Sequence, residues 1–218
     1  MSKRVAVVLS GCGVYDGSEI YESVITLLSL DQAGAEVQCF APDIEQLHVI
    51  NHATGEVAEG ETRNVLVEAA RLARGDIKKL AEADADDFDA VILPGGFGAA
   101  KNLSDFAVKG AQLNVREELS NFIRAMHNGG KPVGLMCISP VMSGVLFGAG
   151  VKCTVGDNPE IAAAIESTGA EHRTCGVGDI CIDEQNKLVT TPAYMLAGRI
   201  SEAATGIKKL VDAVLAMA

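Results

Sequence analysis

Short, continuous apolar bursts separated by stretches of helical period constrain this chain more than any other feature. The bursts are RVAVVLS at 4–10, EVQCFA at 36–41, DAVILPGG at 89–96, PVGLMC at 132–137 and, more weakly, DICID at 179–183 and KLVTTPA at 187–193. Hydrophobicity that runs on without alternating predicts strands covered on both faces. Segments of helical period lie between them, at 19–33, 62–74, 115–128, 159–168 and 195–216. Strands alternating with helices predict an α/β fold, a mostly parallel, doubly wound sheet with right-handed crossovers and helices on both faces. In such sheets ligands bind outside the carboxyl ends of the strands.

The 218 residues are enough for one domain with a substantial core. A net charge of −11 argues against nucleic-acid and anionic-membrane partners, which reward clustered Lys and Arg. The run Val5 to Leu9 is too short for a signal-peptide core, and no stretch sustains the roughly 20 apolar residues of a membrane span, so a cytoplasmic location is expected. Six cysteines show neither a CxxC pair nor zinc-ligand spacing, so neither a disulfide framework nor a metal site is expected. Residues 43–64 read differently from the rest: LHVI and GEV flank an Ala-Thr-Gly turn and predict a small hairpin.

Three strand ends carry unusual chemistry: SGCGVYDGSEIYES at 10–23, PGGFGAAKN at 94–102, and Cys137. Cys137 falls where an apolar run meets Ser139-Pro140, a helix start with proline in its first turn. A thiol at a strand-to-helix bend has the helix N-terminus beneath it, which favours thiolate and predicts a lowered pKa. The alternative is an ordinary buried cysteine. The backbone N–H groups of Gly95 and Gly96, with that of Ile138, form a candidate oxyanion hole, or else an ordinary turn. Glu19 and Glu22 stand one turn apart at the start of the first helix. Facing the thiol, such a carboxyl would be held partly protonated and able to move protons; facing water, both would only complement the helix dipole. His48, His52, His127 and His172 are scattered, and His172 is the one placed to fold toward the site.

Together, DGSEIYESVITLLSLDQAGAEV, AVILPGGFGAAKNLSDFAVKG and GKPVGLMCISPVM resemble the ThiJ/PfpI superfamily, which shares a flavodoxin-like core with class I glutamine amidotransferases. SGCGVYDGSEI, VINHATGE, ETRNVL, LPGGFGAAKNLS and TTPAYMLA resemble its ElbB-like (enhancing lycopene biosynthesis) group over essentially the whole chain. The resemblance implies one domain over 1–218 with a family-specific insertion at about 43–75. It also implies a nucleophile-elbow cysteine at Cys137, a partner glutamate at Glu22, hole donors at Gly96 and Ile138, and a homodimer. Where many relatives place a histidine beyond the elbow this chain has Val155 and Gly156, and TTPAYMLAGR lacks the His-x-Glu pair of amidotransferases. Protease or glutaminase chemistry is hard to run without a nearby histidine base.

The activity the resemblance implies is therefore a cofactor-free glyoxalase, a lyase converting glyoxal and similar small dicarbonyls to glycolate-type hydroxy acids. It would use a Cys137 hemithioacetal with Glu22 as acid/base, and no metal or nicotinamide. Two alternatives stay open. One is a redox-sensing or interaction protein with an oxidisable Cys137, for which Cys12 is the candidate partner. The other is a small-molecule-binding, amidotransferase-like subunit without glutaminase activity. His52, Glu56, Arg63 and Asn64 of the 43–75 segment are candidate pocket residues, Arg63 above all, because a guanidinium holds a carbonyl or carboxylate oxygen in fixed geometry.

Overall fold

The computed structural model of the chain describes residues 2–218. In chain order, β1 (Arg4–Val8) leads through a glycine-rich loop to α1 (Ile20–Gln32) and β2 (Glu36–Ala41). A hairpin of β3 (Ile50–Asn51) and β4 (Glu56–Val57) precedes α2 (Val65–Leu72) and β5 (Ile77–Lys79). Then come β6 (Ala90–Leu93), α3 (Phe106–Lys109), α4 (Glu117–Asn128) and β7 (Val133–Met136). The chain continues through α5 (Ser143–Phe147), β8 (Lys152–Cys153), α6 (Pro159–Ser167), β9 (Glu171–His172), β10 (Cys181–Asp183), β11 (Leu188–Thr191) and α7 (Ile200–Met217).

The main sheet has seven strands in the order β10-β11-β7-β6-β1-β2-β5, parallel throughout except that β10 runs antiparallel to β11. Strand order reverses between β1 and β6, the switch point at which α/β sheets bind ligands. Alternate strand residues enter opposite cores. Ala6, Val8, Val91, Leu93, Val133 and Leu135 pack with α4, α5 and α6, whereas Val5, Val7, Ala90, Ile92 and Val189 pack with α1, α2 and α7. Burial on both faces is why the bursts are continuous rather than alternating. The sheet is therefore flavodoxin-like, mostly parallel and flanked by helices, as the sequence predicts.

The boundaries differ in instructive ways. The hairpin expected in 43–64 is present as β3 and β4, paired Ile50 to Val57. β5 has no counterpart among the sequence-predicted strands, because an edge strand reading IKK carries one apolar residue, and lysines on an edge resist pairing with another chain. α2 is shorter than 62–74: Asn64 caps it, its side chain accepting from the N–H of Val67 at 3.0 Å. α7 starts at Ile200 rather than 195. Residues Ala193–Met195 form a tight 3₁₀ turn instead, with Ala193 at φ +45°. That turn is committed to the site below.

Candidate active site

The site is built where the ends of β6, β7 and β11 meet the start of α1. Cys137 comes directly after β7 with φ +59°, in the left-handed region, at a cost of roughly 1–2 kcal/mol for a residue bearing a Cβ. Neighbouring contacts hold it there. The Cys137 N–H donates to the carbonyl of Thr191 at the end of β11, and the Ser139 hydroxyl donates to the carbonyl of Pro94 at the end of β6 (2.9 Å). Beyond Cys137 the chain forms no long helix but a 3₁₀ turn (Ser139–Met142) and then the five-residue α5.

Glu22 lies in the first turn of α1 and is fully buried. Both of its oxygens are occupied: the Gly95 N–H donates to Oε2 at 2.8 Å and the Tyr194 N–H to Oε1 at 3.2 Å, while the Cys137 thiol also bonds the carboxyl. Glu19 is the N-cap, accepting from the N–H of Glu22 at 2.6 Å, and its own N–H donates to the Gly95 carbonyl at 3.0 Å. α1 and the end of β6 are thus pinned reciprocally through Gly95. No side chain fits at that residue: a Cβ would collide with Cys137 Cβ and come within 2.9 Å of both Cys137 Sγ and Glu22 Oε2. Gly96, at φ +92°, abuts the backbone of Gly17 and Glu19 in the same way.

Burial, then the charge of Glu19, pushes the Glu22 carboxyl up to about 7 against the pull of its three hydrogen bonds. Burial, then the Glu22 charge, pushes the Cys137 thiol well above its ordinary value, although the N–H groups of Gly96 and Ile138 point at the sulfur and favour its anion. The lowered thiol pKa expected from a helix N-terminus is therefore corrected. α5 is too short to supply much dipole, and the thiol lies in an apolar-walled pocket beside a carboxyl, 7% exposed. Gly95 is corrected too: its N–H is occupied by Glu22, which leaves Gly96 and Ile138 as the candidate hole donors.

Above the thiol opens a cavity of about 250 Å³. Phe97, Ala100, Phe106, Ile138, Ile161 and Met195 are among the side chains that wall it, together with Val14 and Tyr194. A larger open groove, about 900 Å³, runs between residues 80–86 and α4; it holds no cysteine. Among the described residues no three His, Cys, Asp or Glu side chains are grouped as a metal site.

The other candidates lie elsewhere. Cys12 is half-buried with Glu68, Arg71 and Asp16 as its charged neighbours, and it does not line the cavity. Arg63 pairs with Glu61 (3.4 Å) and Glu68 (3.6 Å) at the surface, and Asn64 is a helix cap bonded to Asp43, so neither reaches the thiol's pocket. His172 accepts from the Val155 N–H at 3.3 Å, is pushed down by burial, and is outside the cavity. Glu56 is exposed on β4. His52 is one layer out: it accepts from the Tyr15 N–H and packs on the Tyr15 ring, which in turn packs on Phe97. Sequence reasoning missed Tyr194 as a donor to Glu22 and missed the apolar wall; the one signal was Pro-Ala directly after a strand, a place where the backbone can turn sharply.

The chain's residues 3–194 match the DJ-1/PfpI family. It is 48% identical to the human protein "Glutamine amidotransferase-like class 1 domain-containing protein 3, mitochondrial", over 97% of this chain and 82% of that protein. It is equally similar, at 48% over 97% and 83%, to the rat "ES1 protein homolog, mitochondrial". The crystal structure of an isoprenoid biosynthesis protein with an amidotransferase-like domain from Ehrlichia chaffeensis superposes with a TM-score of 0.90 at 34% identity, covering 98% of this chain and 99% of that one. The mitochondrial naming of the human and rat proteins points away from a cytoplasmic location and overturns that expectation. Matched by the family model over most of its length, this chain belongs to the DJ-1/PfpI family.

Proposed function

We propose that the chain is an ElbB-like, glutathione-independent glyoxalase that converts small 2-oxoaldehydes, glyoxal being the simplest, to 2-hydroxy acids. The DJ-1/PfpI family includes proteases and glyoxalases. The observation that carries the choice is the pair itself: a buried carboxyl near pKa 7, anchored by two backbone N–H groups, hydrogen-bonded to a thiol in a pocket that no histidine lines.

In this reading Glu22 takes the thiol proton as Cys137 sulfur adds to the aldehyde carbon, and the oxyanion that forms is met by the N–H groups of Gly96 and Ile138. Protonation of that oxygen gives a neutral hemithioacetal and returns Glu22 to its carboxylate. Glu22 then removes the hydrogen from the former aldehyde carbon as a proton, and the electron pair moves toward the second carbonyl to give an enediolate. Glu22 returns that proton to the second carbon, the first carbon's hydroxyl proton passes to the second carbon's oxygen, and a thioester is left. Water hydrolyses it to the hydroxy acid and restores the thiol. The two carbons exchange oxidation level between themselves, so the sum is dicarbonyl plus water to hydroxy acid. A group near pKa 7 suits both directions of transfer, worth roughly 10²–10⁴ in rate.

The test is glyoxal consumption with glycolate detection, without glutathione or added metal, for wild type, Cys137→Ser and Glu22→Gln. Loss in both variants supports the reading; glycolate formation surviving in Cys137→Ser sinks it.

A further inference from the structure

Resting on the glyoxalase reading, we propose that this site is built for 2-oxoaldehydes bearing an apolar substituent, an aryl or branched alkyl group, rather than for glyoxal itself or for carbonyls carrying a carboxylate or phosphate. The geometry of the cavity points to this. Glyoxal has no atoms beyond its two carbonyls, yet the space above Cys137 is about 250 Å³. A cavity of about 150 Å³ lined by Leu, Ile and Phe holds a benzene ring. Room therefore remains here for an aryl group together with the two carbons that react.

The walls agree with the volume. Phe97, Phe106, Ile161 and Met195 surround the space beyond the sulfur, and no charged side chain and no imidazole lines it. The nearby cation, Lys101, is turned away: its ammonium donates to the carbonyl of Tyr15 (2.9 Å) and sits 5.4 Å from the centre of the Phe97 ring, and it does not reach the lining. A charged substituent would lose its water with no partner in exchange, which a low-polarity site rejects. Besides the thiol, Tyr194 is the one polar side chain in the lining; the thiol and the N–H groups of Gly96 and Ile138 mark the Cys137 end, where the dicarbonyl must lie. The apolar far end is free to hold a substituent.

Two arms test this. The first compares wild-type kcat/KM for glyoxal, methylglyoxal, isopropylglyoxal, phenylglyoxal and 4-carboxyphenylglyoxal. Each buried methylene is expected to raise it roughly fourfold, phenylglyoxal to exceed glyoxal by at least about tenfold, and the carboxylate to abolish that gain. Ala107→Arg, a change at an exposed residue on the cavity rim, is expected to raise the ratio of 4-carboxyphenylglyoxal to phenylglyoxal at least about tenfold. The second arm needs no turnover: Cys137 alkylation by N-phenyliodoacetamide, iodoacetamide and iodoacetate, read by peptide mass and divided by each reagent's rate with glutathione, is expected to fall in that order. Turnover with a flat or falling series overturns this inference and leaves the glyoxalase reading intact. No turnover of any dicarbonyl, with the alkylation order kept, overturns the glyoxalase reading and retains the apolar preference of the cavity. An alkylation order that is flat or led by iodoacetate overturns the inference whatever the turnover.

Discussion

Replacing Glu22 with glutamine should make the protein less stable in acid and no less stable in mild base, an outcome that contact-counting alone would not give. In the folded chain the carboxyl titrates at about 7, against 4.5 for an unperturbed glutamate. Its folded pKa is the higher one, so between those values the folded state binds more protons than the unfolded state, and raising the pH through that window removes stability. The full difference corresponds to about 3 kcal/mol, of which roughly 2 to 3 kcal/mol falls between pH 5 and 8.5. Glutamine cannot titrate. Its oxygen satisfies one of the two N–H donors of Gly95 and Tyr194, and its amide group faces the other, leaving a buried donor unpaired for about 1–3 kcal/mol at every pH.

Wild type should therefore lead by about that amount at pH 5 and lose the lead by pH 8.5, where the variant equals or surpasses it. Urea denaturation monitored by circular dichroism at pH 5, 6, 7 and 8.5 measures both, and taking the difference cancels groups that are not coupled to Glu22. Asp105, held down to about 2 chiefly by Lys109 and Asn114 against a desolvation that would raise it, titrates below this window in any case. A difference constant to within about 0.5 kcal/mol across the series, or a wild type that gains on the variant as pH rises, refutes the account of the buried carboxyl.

Gly95→Ala should destabilise the fold by about 1–3 kcal/mol through overpacking and abolish both turnover and Cys137 alkylation, because its methyl group displaces the thiol or the carboxyl; urea unfolding and labelling rates read the two effects. Arg63→Ala should leave Michaelis constants for 2-oxoaldehydes within about twofold and stability within about 1 kcal/mol, as expected for a guanidinium away from the cavity whose partners are the exposed Glu61 and the buried Glu68, the latter keeping Arg71. Asn64→Ala should cost about 1 kcal/mol through the lost cap of α2 without changing kcat/KM, which calorimetry and steady-state kinetics separate.

The sheet was legible because burial on both faces leaves a run such as AVIL with no polar interruption, and the cysteine because a proline shortly past an apolar run can only start a new element. The choice of Glu22 over Glu19 was legible only by resemblance: spacing alone makes both candidates and favours two solvated first-turn acids, and it is the packing of the first turn of α1 against Gly95, Cys137 and Tyr194 that buries Glu22. The dual use of PGG was hidden for another reason. Two consecutive glycines announce bare N–H groups but not their direction, and here Gly95 turns its N–H to a carboxyl 73 residues earlier while Gly96 turns its own to the sulfur. Tyr194 left no trace beyond the Pro192-Ala193 step, because it contributes a backbone atom, positioned by the left-handed turn at Ala193, and backbone donors have no residue type. Arg63, Asn64 and His172 misled in the opposite sense: their chemistry is real, but ion pairing, helix capping and a backbone contact already occupy it.

The geometry around Cys137 bears on the redox account of this thiol. A redox sensor needs an accessible thiolate, often with a resolving cysteine at hand. Here the sulfur is 7% exposed, burial pushes its pKa up, and the candidate partner Cys12 sits among Glu68, Asp16 and Arg71, outside the cavity. A peroxide would meet a thiol whose proton has one acceptor, Glu22, itself near half-protonated at neutral pH. For an aldehyde that arrangement is no handicap. On the glyoxalase reading, addition at the carbonyl carbon would develop charge on oxygen beside the Gly96 and Ile138 donors as the thiol proton passes to Glu22, so the sulfur would never have to exist as a free anion in the apolar-walled pocket. On the glyoxalase reading, a carboxyl-coupled thiol thus suits electrophiles that accept charge where the N–H groups stand, and a dicarbonyl would do so twice in succession at adjacent carbons.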